Sequence, residues 1–214
     1  MANMFWTKCP NTVIQDYNTR HGQNLSSPLS RWATFVVEEI YYLDDLDSNL
    51  NIHPNSAGSH NPDVIDMAHG RWAAGTAITA LDLCAAALAR QYCNWTGRNE
   101  LSLRHFDINA ASGKKRKQTL ARRGNLPQAA LTWVDGVLAD PRYQTVLNAR
   151  HSLTHSRLPR HYYISSGDPN RERMDFGITT NNNQIQIGVR DLVLESRDLA
   201  GEHVDRFLRV FDTL

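Results

Sequence analysis

The sequence predicts a mainly α-helical fold: a bundle of four or five helices with a small antiparallel β hairpin or flap before the C-terminal helix. Two observations lead to this prediction. Several long segments repeat apolar residues at three- and four-residue spacing. Residues 160–189 instead contain short runs rich in β-branched and aromatic residues, separated by GDPNR and NNN. The chain has 214 residues, so we expect one domain that spans residues 27–214.

The first predicted helix follows a segment without clear pattern. Residues 1–26 show no sustained period, and we expect them to be irregular. Ser27 or Ser30 is a suitable N-cap, and Pro28 is tolerated in a first turn. From there to Leu50, apolar side chains recur at helical spacing: Trp32, Phe35, Val36, Ile40, Leu43 and Leu46.

The longest predicted helix begins at the capping residue Asp63 and extends to about Tyr92. It contains WAAGTAITALDLCAAALA, the most apolar stretch of the chain. Asp82 lies in the middle of this stretch, and alanine dominates over leucine. We therefore interpret it as a buried core helix and not as a membrane span.

The next segment combines a possible short helix, ELSLRHF, with the basic, glycine-bounded connector ASGKKRKQTLARRGNLP. Two interpretations of the connector stay open. It is either a phosphate-backbone contact for RNA or a solvated flexible loop, and the lack of an interleaved aromatic residue favours the loop. The candidate RNA-binding residues are Lys114, Lys115, Arg116, Lys117, Arg122 and Arg123.

Helical patterns return in PQAALTWVDGVLAD and again after Pro141, which suits a first helical turn. The runs HYYIS, RMDFGITT and NQIQIGV then predict the β excursion, at about residues 160–189. A final amphipathic helix occupies the remaining chain from about Val189.

The segment RHSLTHSR, residues 150–157, carries the strongest functional signal. At 100° per residue, Arg150 follows Val146 by four positions and Leu147 by three, and so belongs to the inward stripe of its helix. That stripe is predicted to comprise Tyr143, Val146, Leu147, Leu153 and Thr154. A buried arginine keeps its charge, so an inward Arg150 must meet an anion, carbonyl groups or trapped water.

His151 and His155 are four residues apart and therefore neighbours on an adjacent helix face. A guanidinium beside two imidazoles suits cleavage of RNA phosphodiester bonds. Histidine transfers protons near neutral pH, and arginine stabilises charge on the phosphorane. The structural alternative is that Arg150 packs its aliphatic stem on the bundle and binds carbonyls, while both histidines are exposed.

The motif Arg150–His151–(three residues)–His155, on a late helix of a bundle, resembles the R-polar-x(3–5)-H motif of the HEPN superfamily. The resemblance implies a metal-independent endoribonuclease with Arg150 and His155 as the catalytic pair, in a cleft formed by two protomers. His151 would be the polar residue after the arginine, where the family more usually has asparagine. The resemblance also implies roles in toxin–antitoxin or phage-defence systems, with an antitoxin or a nucleotidyltransferase as a possible partner.

The composition sets limits on other classes of function. The formal net charge is +1, so no global field attracts nucleic acid or a membrane. Three cysteines without metal-ligand spacing indicate free thiols and a cytoplasmic protein. We expect no metal and no cofactor. The alternative to an enzyme is a non-catalytic helical module that binds nucleotide, RNA or a protein partner.

Overall fold

Seven α-helices and three strands form the described part of the chain. The computed structural model describes residues 10–23, 31–50, 62–95, 101–154, 160–164, 173–180 and 183–210. In chain order the helices are α1 (Pro10–His21), α2 (Arg31–Leu50), α3 (Pro62–Cys93), α4 (Gly113–Gly124), α5 (Gln128–Ala139), α6 (Pro141–Thr154) and α7 (Val189–Val210). A short 3₁₀ helix, Leu103–Phe106, precedes α4. The prediction of a mainly helical bundle is confirmed.

The core is built around α3, which packs against α2, α6 and α7. Buried alanines along α3, among them Ala73, Ala77 and Ala85, let the neighbouring helices approach closely. Larger apolar side chains of α2 and α7 fill the space beside them, including Ile40 and Leu192.

α3 also contains the one stretch, in the described ranges, that is long and apolar enough to cross a membrane. This stretch is Ala68–Cys93, and 67% of its most apolar window is buried inside the protein. That burial is the property of a core helix, as the sequence predicts. Cys84 and Cys93 in this helix are free thiols.

Three strands lie between α6 and α7: β1 (Arg160–Ile164), β2 (Arg173–Thr180) and β3 (Asn183–Gly188). They pair antiparallel in the order β1–β2–β3. β2 contacts both α6 and α7, so the sheet lies against the C-terminal half of the bundle.

The prediction that residues 1–26 are irregular is wrong for Pro10–His21, which form α1. Few apolar residues mark this helix, so no period is visible in its sequence. Ile14 and Tyr17 are nevertheless buried, and the Tyr17 hydroxyl donates a hydrogen bond to Asp205 of α7. The His21 ring stacks on Tyr17, with centroids 4.5 Å apart. Polar contacts with distant residues therefore hold α1, and a local pattern cannot reveal them.

The basic connector is also a helix, α4, and its two glycines mark the ends of that helix. Thr119 is its one buried side chain among residues 113–124, so a hydrophobic period is missing. The C-terminal end of α4 is held by Arg122 and Arg123. These guanidinium groups donate hydrogen bonds to the carbonyls of His105 and Phe106 in the 3₁₀ helix, at 3.4 and 3.2 Å.

Candidate functional site

α6 determines where Arg150 lies. Pro141 occupies the first position of the helix, and the Asp140 carboxylate caps it by accepting a hydrogen bond from the Arg142 backbone N–H at 2.9 Å. Tyr143, Val146 and Leu147 are buried, as the inward stripe predicts.

The predicted stripe is wrong at its C-terminal end. Thr154 is exposed and Leu153 only partly buried, whereas Ala149 is fully buried. The buried face is therefore rotated toward position 149. Arg150 lies at the edge of this face, with 36% of its side chain exposed.

Arg150 meets an anion, and this anion is Asp82 of α3. The Nη1 atom of Arg150 lies 3.8 Å from Oδ2 of Asp82, whose side chain is 21% exposed. Oδ1 of the same carboxylate accepts a hydrogen bond from the Leu103 backbone N–H at 2.8 Å. A separation of 3.8 Å exceeds hydrogen-bond length, so the two groups attract one another without the directional bonds of a bidentate pair.

Tyr143 adds a hydroxyl to the same region, the seam between α3, α6 and the 3₁₀ helix. Its side chain is 3% exposed, and its hydroxyl lacks a hydrogen-bond partner among the described residues. Burial raises the pKa of Tyr143 well above its ordinary range, and the charge of Asp82 raises it further. Arg104 and Arg150 act on this pKa in the opposite direction. Near neutral pH the Tyr143 hydroxyl is therefore neutral and able to donate a hydrogen bond.

The structure describes two of the three predicted catalytic residues. His151 is exposed at the next position of α6. His155 lies outside the described residues. The candidate RNA-binding residues all lie on α4, where Lys114, Lys115, Arg116 and Lys117 are exposed, whereas Arg122 and Arg123 are partly buried.

Arg122 and Arg123 also make structural contacts beyond the 3₁₀ helix. The Arg122 guanidinium lies 5.6 Å from the ring centroid of Trp95, and Arg123 pairs with Asp135 of α5 at 2.8 Å. The exposed basic surface of α4 therefore consists of Lys114, Lys115, Arg116 and Lys117.

Asp82 and Tyr143 are site residues that the sequence prediction missed. Asp82 carried a signal, because a single carboxylate in the middle of an alanine-rich core helix needs a partner. Tyr143 gave none, since a tyrosine on an inward stripe is ordinary core composition.

A second polar cluster joins α6 to α7. The Arg142 guanidinium binds Asp140 at 2.7 Å and Glu202 at 2.7 Å, and His203 Nε2 lies 3.1 Å from Asp140. Hydrogen bonds from Arg142 hold the pKa of the Asp140 carboxyl well below its usual range. Burial lowers the pKa of His203, so this imidazole is neutral near pH 7. Each charge here already has a partner, which indicates a structural role.

Metal ligands do not converge in the described ranges: no group of three His, Cys, Asp or Glu side chains is positioned to hold a metal ion. No protein-family model, curated protein or solved structure matches the chain.

Proposed function

We propose that this protein is a HEPN-like, metal-independent endoribonuclease that acts as a homodimer. Its bundle, with the β excursion before the last helix, would place Arg150, His151 and His155 in a cleft shared by two protomers. The chemistry needs a base, an acid and a cation that stabilises the phosphorane, and these side chains provide all three.

The observation that carries the proposal is the position of Arg150. A permanently charged side chain lies at the edge of the buried face of α6, and only 36% of its surface is exposed. Its neighbour Asp82 is too far away to form a hydrogen bond with it, so the guanidinium N–H groups are not committed to this carboxylate. Phosphate oxygens match that donor set in a bidentate manner.

The proposed reaction transfers two protons and breaks one bond. A base removes the proton of the RNA 2′-hydroxyl, and the oxygen attacks the adjacent phosphorus. The bond to the 5′-oxygen breaks, and this oxygen leaves with a proton from an acid. His155 serves as base or acid in one of the two proton transfers. His151 orients the substrate or acts as a second proton carrier. The products carry a 2′,3′-cyclic phosphate and a 5′-hydroxyl.

Asp82 serves as the resting counter-ion of Arg150. Its fixed position on α3, with one oxygen bound to the Leu103 N–H, keeps the guanidinium directed into the seam. When a phosphate arrives, the arginine exchanges a loose contact for charge-assisted hydrogen bonds. We therefore regard Asp82 as a positioning residue.

The test measures cleavage of mixed RNA in the presence of a chelator. We expect wild-type protein to cleave, and Arg150→Ala and His155→Ala to lose about 10²-fold or more of the rate. Arg150→Lys keeps the charge but not the bidentate geometry and should also be impaired. The matched control is Arg209→Ala, which removes an exposed arginine of α7 and should leave the rate unchanged. Circular dichroism verifies the fold of each variant, and the proposal fails if both alanine variants cleave at the wild-type rate.

A second candidate function is a non-catalytic module that binds nucleotide or RNA, or an antitoxin or nucleotidyltransferase, in the cytoplasm. The Arg150–Asp82 pair favours it, because a guanidinium positioned beside a carboxylate can bind a phosphate group without catalysing a reaction. In that case pure wild-type protein leaves RNA intact while Arg150→Ala weakens RNA binding. Cleavage that disappears in Arg150→Ala would exclude this candidate.

A further inference from the structure

We propose that α4 is the docking surface for the phosphate backbone of single-stranded RNA and directs the strand toward the Arg150 seam. This inference rests on the proposed function, since it names the surface through which the same substrate enters. The partner is a polyanion without base selectivity, because α4 contains no aromatic residue for base stacking.

Exposure and charge are the first support. Lys114, Lys115, Arg116 and Lys117 are four consecutive exposed cations, and the sequence GKKRKQTLARRG of α4 contains no acidic residue. Consecutive residues of a helix are 100° apart, so these four cations project from different faces of α4. They can therefore contact a flexible RNA strand from more than one side. The overall net charge is only +1, so this positive surface is local.

The position of these cations within α4 is the second support. They occupy the first turns of the helix, where the helix dipole is already positive and cations are unfavourable. A helix selected only for stability would carry Asp or Glu there. A local arrangement that lowers stability without structural compensation is typical of a functional surface.

A chain of contacts connects α4 to the seam and gives the third support. Arg122 and Arg123 at the end of α4 bind the carbonyls of the 3₁₀ helix. The Leu103 N–H of that 3₁₀ helix binds Asp82, the counter-ion of Arg150. The cations at 114–117 lie about 8–12 Å along the helix axis from Arg122. One short element thus contacts both the basic helix and the Asp82–Arg150 pair.

The experiment measures the binding of a short fluorescent single-stranded RNA with methylated 2′-oxygens, which cannot undergo cleavage by the proposed reaction. The test variant is Lys114→Ala/Lys115→Ala/Lys117→Ala, because alanine preserves the helix. The control removes the same charge from exposed positions on α3 and α7: Arg71→Ala/Arg206→Ala/Arg209→Ala.

We expect the α4 variant to bind about tenfold or more weakly at low salt. The slope of log affinity against log salt should decrease in magnitude by about 2, which corresponds to three lost phosphate contacts on a single strand. The control should bind like the wild type. Equal losses in both triple variants, or no loss in the α4 variant, overturn the inference. Phosphatidylserine vesicles form a separate arm, and binding to these vesicles but not to RNA also overturns it.

Cleavage assays on the same preparations separate this inference from the proposed function. If cleavage depends on Arg150 but the α4 triple variant binds RNA like the wild type, only the docking surface is overturned. RNA binding through α4 without any cleavage by the wild type overturns the ribonuclease and leaves the docking surface supported.

Discussion

Glu39 on α2 is a single side chain whose environment predicts a pH-dependent stability. Burial raises the pKa of Glu39 to about 7 from its ordinary 4.5, and the charge of Glu38 adds to the effect. A hydrogen bond with the Thr76 side chain lowers the pKa of Glu39, but by less than burial raises it. Between pH 4.5 and 7 the folded state binds more protons at this site than the unfolded state, so this contribution to stability decreases as pH rises and is unfavourable above 7.

Glu39→Gln should therefore stabilise the protein at pH 8, because glutamine can accept the same hydrogen bond without a buried charge. We expect the free energy of unfolding to rise by about 1–3 kcal/mol at pH 8 and to change little at pH 4, since one pKa unit corresponds to about 1.4 kcal/mol. Urea denaturation at the two pH values measures this. The control Glu38→Gln removes an exposed neighbouring charge and should change stability by less than about 0.5 kcal/mol. An equal gain at both pH values would contradict the assignment.

Arg150 illustrates how far a local pattern predicts a site. Helical periodicity sets its approximate angular position, so the sequence predicts that it faces the bundle and meets an anion, carbonyl groups or trapped water. The structure places it at the edge of the buried face, beside an anion. The identity of that anion depends on the packing of α3 against α6, which no local pattern contains. Asp82 is in fact visible in the sequence as a charge in an apolar helix. The sequence could therefore have suggested that Arg150 and Asp82 pair with one another. It could not have predicted the distance between them.

At the level of elements, five helices were predictable from apolar spacing or, for α3, from a long alanine-rich apolar run: α2, α3, α5, α6 and α7. α1 and α4 were not, for two different reasons. α1 is held by polar contacts such as Tyr17–Asp205. α4 buries only Thr119 and is anchored by its terminal arginines. Periodicity detects helices that bury an apolar stripe and misses those that attach by their ends or by polar groups.

The unfavourable charge at the start of α4 leads to a prediction about that element alone. In Lys114→Ala/Lys115→Ala/Lys117→Ala, repulsion with the helix dipole is removed and helix propensity rises. We expect the local stability of α4 to increase by about 1 kcal/mol. Amide hydrogen exchange in residues 113–124 should slow by several-fold, while the remaining helices are unchanged.

This stability measurement also has a matched control. Arg71→Ala/Arg206→Ala/Arg209→Ala should leave exchange in α4 unaffected, because none of these residues lies on that helix. Faster exchange in α4 after removal of the lysines would mean that they stabilise the helix and that their position in its first turns is not unfavourable.

At the level of the whole molecule, the fold class could be predicted from the length and composition of the helical segments. A long alanine-rich helix suits the centre of a bundle, and α3, with 32 residues, has this place. The position of α4 beside the 3₁₀ helix, and of that helix beside Asp82, is set by tertiary contacts. The route from the basic surface to the seam is therefore a property of the folded chain that could not be predicted from either segment alone.

The proposed homodimer makes a prediction that belongs to the whole assembly. Arg150→Ala and His155→Ala protomers carry different affinity tags and are purified together by both tags. Each parent homodimer lacks one group in both copies, whereas the mixed dimer retains one Arg150 and one His155 on different protomers. If α6 of one protomer faces α6 of its partner, a composite cleft regains both groups. We expect cleavage at least about tenfold above either parent, since a single proton-transfer group contributes about 10²–10⁴-fold. Dual-tagged Arg150→Ala alone is the control and should stay inactive. A mixed dimer as inactive as its parents, or the failure of the two tags to copurify, would show that the cleft is not shared.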